Sequence, residues 1–195
     1  MEGFFFQNKF GSIKFFTIFA LVNQIIINMK IELKNIKFSE ALSEETNAFV
    51  GDVFINGVKS AYAKNEGHGG CTFYHAYEGK RELVKQAEQF CLGLPPINSY
   101  GMELPMNLEF KIDLLLEDWL RAKDQKRLDK KLEKDCLIGI CYKTDNGYSL
   151  IQWKGHTIKS ILQHPQGKLT IRVKLNELRR EGKEVLNKNI PQELF

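Results

Sequence analysis

The chain has 195 residues, of which 43% are hydrophobic and 27% are charged, and its formal net charge is +4. This length fits one domain with a sizeable core, and the composition excludes a collagen-like, disulfide-scaffold or wholly disordered chain. The small positive charge permits a nucleic-acid partner without favouring one, because phosphate binding requires a basic patch and not only a basic total.

The first 28 residues differ from the rest of the chain. "FFFQNKFGSIKFFTIFALVNQIIIN" consists mostly of Phe, Ile, Asn and Lys and has no helical or strand periodicity. Its longest apolar run, residues 15–22, is shorter than the roughly 18 residues that a membrane span requires. We expect translation to begin at Met29, so that residues 1–28 are a non-native or disordered extension and residues 29–195 form a single α+β domain. An export signal and a peripheral membrane anchor are the alternatives.

Strand and turn signals follow Met29. Residues 30–37, "KIELKNIK", alternate as a strand does, and Asn56-Gly57 between two alternating segments predicts a β-hairpin with a type I′ turn. A two-residue turn places Ile55 opposite Val58, Val53 opposite Ser60 and Gly51 opposite Tyr62. The predicted core face of the hairpin consists of Phe49, Val53, Ile55, Val58 and Tyr62, with Gly51 leaving room for the Tyr62 ring.

Two helices are predicted next. "KRELVKQAEQFCLGLPP" has apolar residues at helical spacing and places Cys91 on the apolar face. A longer helix begins near Met106, and its apolar stripe contains Leu108, Ile112, Leu115, Leu116 and Trp119. Beyond Ala122 this stripe ends, and Leu128 and Leu132 lie on the opposite side. The helix therefore bends there, or its distal half packs on another part of the chain, a second subunit or a partner.

The C-terminal third alternates between strand and helix patterns. We expect a strand over residues 136–142, a "TDNG" turn, a strand over 148–153 and a short helix around 158–163. Residues 168–175, "KLTIRVKL", predict a further strand, which leads into an amphipathic segment over 176–187. The resulting class is α+β: a mainly antiparallel sheet built from two β-hairpins, with about three to four helices packed on it.

The segment "EGHGGCTFYH", residues 66–75, is the main candidate for chemistry. His68, Cys71 and His75 are zinc-ligand types, although a structural site needs a fourth ligand from a distant Cys or His. Cys71 is also a candidate nucleophile, and the amides of Gly67, Gly69 and Gly70 are candidates for a phosphate cradle. The structural interpretation is that these glycines turn the chain out of a sheet, while Cys71, Phe73 and Tyr77 close the edge of the core.

The cysteine spacing and the basic stretches complete the candidates. Cys71, Cys91, Cys136 and Cys141 form no CxxC pair, so we expect reduced thiols in a cytoplasm. Residues 121–134 and 168–188 each contain seven basic and three acidic residues. On one face they would bind phosphates, with stacking from Tyr142, Tyr148 and Trp153. The acids at intrahelical spacing favour a solvated helix face instead.

From Met29 to Cys71, "MKIELKNIKFSEALSEETNAFVGDVFINGVKSAYAKNEGHGGC" resembles short hypothetical proteins of phages and other mobile elements. These similarly begin with a strand and continue with "LSEET", a hairpin with an Asn-Gly or Asp-Gly turn, and a Gly-Gly-Cys segment. The resemblance implies a mobile-element origin but no reaction, because that group has no assigned activity. By analogy with small phage accessory proteins, it suggests binding to a host protein, including host defence systems.

The leading hypothesis is therefore a cytoplasmic, non-enzymatic module that binds a host or phage protein and uses neither a cofactor nor a membrane. Its predicted binding residues are Phe73, Tyr74, Tyr77, Lys126, Arg127 and Lys130. The first alternative is a nucleic-acid-binding module that uses the basic helices. The second alternative is a zinc-dependent or cysteine-dependent site at His68, Cys71 and His75.

Overall fold

The structure, a computed structural model, describes residues 29–99 and 101–195, so the predictions for residues 1–28 lie outside it. The chain groups into two compact units, the first ending at Trp119 and the second comprising Leu120–Phe195. Each unit has buried hydrophobic residues of its own. That residues 29–195 form one domain stays a prediction.

The first unit is built on a four-stranded antiparallel sheet with the strand order β1-β2-β3-β4. Its strands are β1 (Ile31–Ser39), β2 (Ala48–Ile55), β3 (Val58–Asn65) and β4 (Phe73–Ala76). Helix α1 (Arg81–Leu92), the small hairpin of β5 (Ile97–Ser99) and β6 (Met102–Leu104), and the start of helix α2 (Leu108–Ile138) follow. The predicted first strand, hairpin and two helices are confirmed.

The β2–β3 hairpin has the predicted turn but not the predicted register. Asn56 and Gly57 have φ values of 50° and 79°, as a type I′ turn requires, and Ile55 pairs with Val58. The register then shifts by one residue between Val53 and Phe54, so that Val53 lies opposite Ala61. The predicted pairing of Val53 with Ser60 is therefore wrong. A β-bulge adds one residue to one strand and is not visible in the hydrophobic pattern.

The bulge exchanges the faces of β3. Ser60 and Ala61 are both buried, whereas Val58 and Tyr62 are exposed. The prediction that Val58 and Tyr62 belong to the core face is therefore wrong. Gly51 lies opposite Ala63 instead of Tyr62. A Cβ atom on Gly51 would lie 3.1 Å from Cδ1 of Leu33, so this glycine makes room for a β1 side chain.

The helices of the first unit bury part of each predicted stripe. Val84, Ala87 and Cys91 of α1 are buried, and so are Leu108, Ile112 and Leu116 of α2. From residue 121 to 131 every side chain of α2 is exposed. The end of the apolar stripe near Ala122 is thus confirmed.

The second unit packs helices on its own two-stranded sheet. After the distal part of α2 come β7 (Gly139–Thr144), β8 (Gly147–Gln152), α3 (Ile158–Leu162) and α4 (Pro165–Arg180). Ile171, Leu175 and Leu178 of α4 form a core cluster with Ile140, Ile158, Ile190 and Leu194. The α+β class is confirmed, and the second hairpin forms a sheet separate from the first.

Two C-terminal elements differ from prediction. Residues 168–175 belong to helix α4 and not to a strand, and α4 ends at Arg180 instead of continuing towards residue 187. Leu169, Ile171, Val173 and Leu175 alternate with polar residues, as in a strand. In this helix Ile171 and Leu175 are buried, whereas Leu169 and Val173 are exposed. Gly182 has a φ of 70°, which is unfavourable for a continuing helix. Residues 136–138 also belong to α2, so β7 begins at Gly139.

Candidate interaction surfaces

The outward side of the first sheet carries a cluster of exposed aromatic rings. Val50, Lys64 and Phe73 lie side by side across β2, β3 and β4, and Asp52, Tyr62 and His75 form the next such row. Cross-strand neighbours of this kind share one face of a sheet. Phe73 is 69% exposed and Tyr62 is 44% exposed. We call Tyr62, Phe73, His75 and Tyr77 the aromatic face.

Three rings of the aromatic face, Tyr62, His75 and Tyr77, lie close together. Tyr62 lies 5.8 Å from His75 and 6.3 Å from Tyr77, measured between ring centroids, and the rings are tilted. The Lys59 ammonium lies 5.0 Å from the centre of the Tyr77 ring. Such contacts hold the rings in place, so that little side-chain freedom remains to be lost when a partner binds.

The Asp52 carboxylate positions Tyr77, one ring of the aromatic face. Its carboxylate accepts hydrogen bonds from Oη of Tyr77 at 2.6 Å and from Nδ2 of Asn35 at 2.7 Å, and it forms an ion pair with Lys59 at 2.9 Å. Partial burial raises the pKa of Asp52, but the hydrogen bonds from Asn35, Lys59 and Tyr77 outweigh it and lower the pKa to about 2. Asp52 therefore carries its charge at neutral pH and fixes the Tyr77 hydroxyl.

Tyr74, the third predicted aromatic binding residue, does not belong to this face. It alternates with Phe73 and His75 along β4, and its hydroxyl donates a hydrogen bond of 2.8 Å to Oε1 of Glu88 on α1. Its ring is half-buried. Sequence reasoning instead missed Tyr62, because the bulge that turns it outward leaves no signal in the hydrophobic pattern.

The glycine-rich segment is organised by Asn65, which sequence reasoning also missed. Oδ1 of Asn65 accepts hydrogen bonds from Oγ1 of Thr46 and from the Gly67 amide, both at 2.9 Å, and Nδ2 donates to the Gly70 carbonyl at 3.0 Å. Gly67 has a φ of 93°, and a Cβ atom on it would lie 2.0 Å from the Leu42 carbonyl oxygen. An asparagine two residues before a glycine is the signal that could have identified this turn.

Thr72 is buried, whereas its neighbour Cys71 is exposed. Its hydroxyl donates a hydrogen bond of 2.6 Å to Oδ1 of Asp113, and its amide donates to Oε1 of Glu109 at 3.1 Å. Cys71 and Phe73 are exposed, so the prediction that they close the edge of the core is wrong. The chain turns at the glycines, which brings Thr72 inward and its two neighbours outward.

The three predicted zinc ligands lie in different surroundings. Nδ1 of His68 lies 3.1 Å from Oε2 of Glu44, whereas His75 packs on Tyr62. Within residues 29–99 and 101–195, no group of three or more His, Cys, Asp and Glu side chains is placed to hold a metal ion. The structure therefore does not bring His68, Cys71 and His75 together as a metal site.

Cys71 borders a polar cavity of about 270 Å³ that is also lined by Glu109, Asp113 and Glu117. A thiolate nucleophile requires positive charge nearby, yet the described residues that line this cavity include no Lys, Arg or His. Burial raises the pKa of Cys91 to about 11 and that of Cys141 to about 12. These two buried thiols are poor nucleophiles.

The distal part of α2 presents a basic stripe. Lys126, Lys130 and Lys134 follow one another at intervals of four residues and share one side of the helix, and all three are exposed. Arg127 lies 3.6 Å from Asp124. Among the described residues no ion pair involves Lys126, Lys130, Lys131 or Lys134, so the predicted intrahelical pairing does not include these four lysines.

The aromatic residues predicted to stack on nucleic-acid bases serve the second unit itself. Tyr142 and Trp153 pack against the core cluster. The Tyr148 hydroxyl donates a hydrogen bond of 2.7 Å to Oδ2 of Asp135. Partial burial and this contact raise the pKa of Tyr148 to about 12. The basic stripe is therefore not accompanied by free aromatic rings from the β7–β8 sheet.

No known protein family matches this chain, and neither a characterised protein nor a solved structure shows significant similarity to it. In the part of the chain that the structure describes, no helix has an apolar stretch that could cross a membrane.

Proposed function

We propose that the protein is a cytoplasmic, non-enzymatic binding module that contacts a partner protein through the aromatic face. The observation that carries this proposal is the 69% exposure of Phe73 on the same side of the sheet as the exposed Tyr62 ring. Aromatic residues are enriched at the centres of protein interfaces, because they bury a large area and lose few rotamers. The resemblance to phage and mobile-element proteins suggests a host protein as the partner.

The charges around the aromatic face favour a protein over a nucleic acid. Lys59 is paired with Asp52 at 2.9 Å, and Lys64 is paired with Glu66 at 2.6 Å. The charges of these two lysines are already neutralised by carboxylates. The carboxylates themselves would repel the phosphates of a nucleic acid. Affinity for nucleic acid depends mainly on contacts between free basic side chains and phosphates, and this face offers few.

Photocrosslinking in the native cell tests the proposal. A photoreactive phenylalanine replaces Phe73 in one variant and the similarly exposed Leu92 in a control variant, and the products are identified by mass spectrometry. We expect one protein to crosslink at position 73 and not at position 92. That product should disappear when Tyr62→Ser is added to the Phe73 variant, and circular dichroism should confirm that both variants are folded. Equal crosslinking at both positions, or none, would contradict the proposal.

A second candidate function, nucleic-acid binding, is favoured by the basic stripe of α2. In the part of the chain that the structure describes, Lys126, Lys130 and Lys134 form no ion pair with a carboxylate, unlike Lys59 and Lys64 on the sheet. Contacts from such side chains to phosphates release counterions, so the affinity falls steeply as the salt concentration rises. The logarithm of the binding constant falls with the logarithm of the salt concentration by a slope of roughly 0.7 to 0.9 per phosphate contact.

Oligonucleotide binding measured by fluorescence anisotropy over a range of salt concentrations tests this second candidate. Charge reversal of Lys126, Arg127 and Lys130 should weaken binding and flatten the salt dependence. Reversal of the exposed Lys85 on α1 is the matched control and should change neither. Salt-independent binding, or equal effects of both sets of variants, would exclude the basic stripe as the binding surface.

A further inference from the structure

The end of helix α2 and the start of strand β7 bring two buried cysteines together. Cys136 lies in the last turn of α2, and Cys141 follows in β7. Both residues are buried, and their thiols are hydrogen-bonded to each other. From such a contact a disulfide bond requires only small movements of the two side chains, because the sulfur atoms already face each other.

Two further contacts hold this pair in place. Asn187 bridges the two cysteines, because its Nδ2 donates a hydrogen bond to the Cys136 carbonyl at 3.1 Å and its Oδ1 accepts one from the Cys141 amide at 2.7 Å. Asp135, the neighbour of Cys136, accepts a hydrogen bond of 2.7 Å from Oη of Tyr148. Tyr148 lies on the same face of the β7–β8 sheet as Cys141. The end of α2 is therefore fixed over the sheet face that carries Cys141.

The two thiols differ in access and in acidity. Cys136 borders a cavity of about 760 Å³ that is also lined by Leu132, Leu137 and Lys188, whereas Cys141 is fully buried. Burial raises the pKa of Cys136, and the hydrogen bond with Cys141 opposes this rise. Burial and the contact with Cys136 raise the pKa of Cys141 to about 12. Cys136 is therefore the thiol that a small molecule can reach, and it ionises more easily than Cys141.

We infer that Cys136 and Cys141 are a reversible redox pair, which a low-molecular-weight disulfide entering this cavity converts into an intramolecular disulfide bond. The Cys136 thiolate attacks one sulfur of the small disulfide, and the other sulfur leaves as a thiolate that takes up a proton. Cys136 is then joined to the first half of the small molecule as a mixed disulfide.

Cys141 completes the reaction. It loses its proton to solvent and attacks the Cys136 sulfur, so that the second half of the small molecule leaves as a thiol. Cys141 is a poor nucleophile towards dissolved reagents, but this attack is intramolecular and is favoured by the fixed position of the two residues. In total the protein loses two electrons and two protons, and the small disulfide is reduced to two thiols.

The bond would connect the distal half of α2 covalently to β7. In a reducing compartment both thiols stay reduced, and the bond forms when the compartment becomes oxidising. A fold that places the two thiols together favours the bond, and by linkage the bond stabilises that fold. This redox pair lies in the second unit and does not depend on partner binding through the aromatic face.

Peptide mapping of the full chain tests the inference. Trypsin releases Cys136 and Cys141 in one peptide, "DCLIGICYK", and Cys71 and Cys91 in two others. The folded protein is equilibrated with mixtures of reduced and oxidised glutathione, quenched with acid, denatured and alkylated, and its peptides are analysed by mass spectrometry. The same equilibration in urea gives the reference for the unfolded chain. Cys141→Ser removes one member of the pair, and Cys71→Ser/Cys91→Ser is the matched control that retains it.

We expect this peptide to lack both thiol hydrogens and to resist alkylation at both cysteines, and reduction with dithiothreitol should restore alkylation. In Cys141→Ser, Cys136 should carry a glutathione instead, whereas Cys71→Ser/Cys91→Ser should behave as the wild type does. Circular dichroism shows whether each variant is folded, and the wild-type map decides alone if one is not.

Three results from the folded wild type would overturn the inference: alkylation of both Cys136 and Cys141 after oxidation, a glutathione on each of them, and a bond from either one to Cys71 or Cys91. A disulfide fraction no higher in the folded protein than in urea would also overturn it. The fold would then contribute nothing to the pairing, and the short spacing in the sequence would account for the bond.

Discussion

The two halves of helix α2 have opposite characters. Residues 108–119 contain four acidic residues and one basic residue, and they bury Leu108, Ile112 and Leu116 in the first unit. Residues 120–138 contain seven basic and four acidic residues, and from 121 to 131 every side chain is exposed. One continuous helix therefore contains a segment that stabilises the fold and a segment whose side chains are available to other molecules.

This difference separates stability from binding within one element. Packing of an apolar stripe supplies most of the stability of a helix in a protein, so substitutions in the proximal half should change stability. Substitutions in the exposed distal half should change binding and leave stability almost unaltered. Equal changes in stability from the same kind of substitution in both halves would contradict this separation of stability from binding.

Ile112→Ala should have the largest effect. The Ile112 side chain is fully buried, so its truncation loses apolar burial and leaves a cavity, and we expect a loss of about 3 kcal/mol in the free energy of unfolding. Leu128→Ala, in the distal half, should change it by no more than about 0.5 kcal/mol. Urea denaturation followed by circular dichroism measures both values. Similar losses would show that the distal half is also packed.

Asn187→Ala tests how the distal half is anchored at its end. Nδ2 of Asn187 donates hydrogen bonds to the carbonyls of Cys136 at 3.1 Å and Gly139 at 2.9 Å, and Oδ1 accepts from the Cys141 amide at 2.7 Å. The Cys136 carbonyl also accepts a hydrogen bond from Asn189, but the Gly139 carbonyl and the Cys141 amide lose their bonds to Asn187, so we expect a loss of about 2 kcal/mol in the same assay. Asn176→Ala, an exposed asparagine on α4, is the control and should be nearly neutral.

Asp113→Asn tests how much the ionised Asp113 carboxyl in the proximal half costs in stability. Burial raises the pKa of Asp113 above its usual range, the hydrogen bond from Thr72 opposes this, and the charges of Glu109 and Glu117 add to it. A raised folded-state pKa means that the folded protein holds this proton more tightly than the unfolded chain. Ionisation of Asp113 therefore lowers stability as the pH rises from its unfolded pKa through its folded pKa.

We accordingly expect Asp113→Asn to be more stable than the wild type at neutral pH, because the amide avoids burying a charge and can still accept the Thr72 hydrogen bond. The advantage should vanish below the unfolded pKa of an aspartate, where the wild-type carboxyl is also neutral. Melting temperatures across the acidic pH range measure it. Asp124→Asn, on the exposed distal half, should show no such pH-dependent gain. A destabilised Asp113→Asn at neutral pH would contradict this account.

Local patterns predicted most of the elements of this fold. The Asn56-Gly57 turn, the apolar stripes of α1 and α2 and the "TDNG" turn follow from backbone preferences and from burial on one side, both of which are visible in the sequence. The bulge near Phe54 could not be predicted in this way, because one additional residue changes the register without changing the composition. That one residue decides that Tyr62 belongs to the surface.

The candidate surfaces were predicted less completely than the elements. Phe73 and Tyr77 were identified by their aromatic character, and Lys126, Arg127 and Lys130 by their charge. Helix α4 was predicted as a strand because Leu169, Ile171, Val173 and Leu175 alternate with polar residues. Only the helical backbone reveals that this alternation is two stripes on opposite sides of one helix. Partners that depend on tertiary packing, such as Thr72 with Asp113, leave no sequence signal.

Lys130→Glu should have the smallest effect on stability. We expect this substitution in the distal half to increase stability, whereas Ile112→Ala in the proximal half decreases it. Lys126 and Lys134 lie one turn on either side of Lys130, and like charges at this spacing destabilise a helix. The substitution replaces two repulsive pairs with two attractive ones, so we expect a gain of roughly 0.5 kcal/mol at low salt. Lys130→Gln should give an intermediate value, and high salt should remove most of the difference by screening.

A gain in stability from Lys130→Glu would show that the wild-type stripe is costly to the fold. Such a cost is expected of lysines whose charge binds another molecule, because function and stability then make opposite demands on the same side chains. If Lys130→Glu were instead less stable than the wild type at low salt, the lysine would have a carboxylate partner in solution. The distal half of α2 would then resemble the paired lysines of the sheet, and its candidacy as a phosphate-binding surface would end.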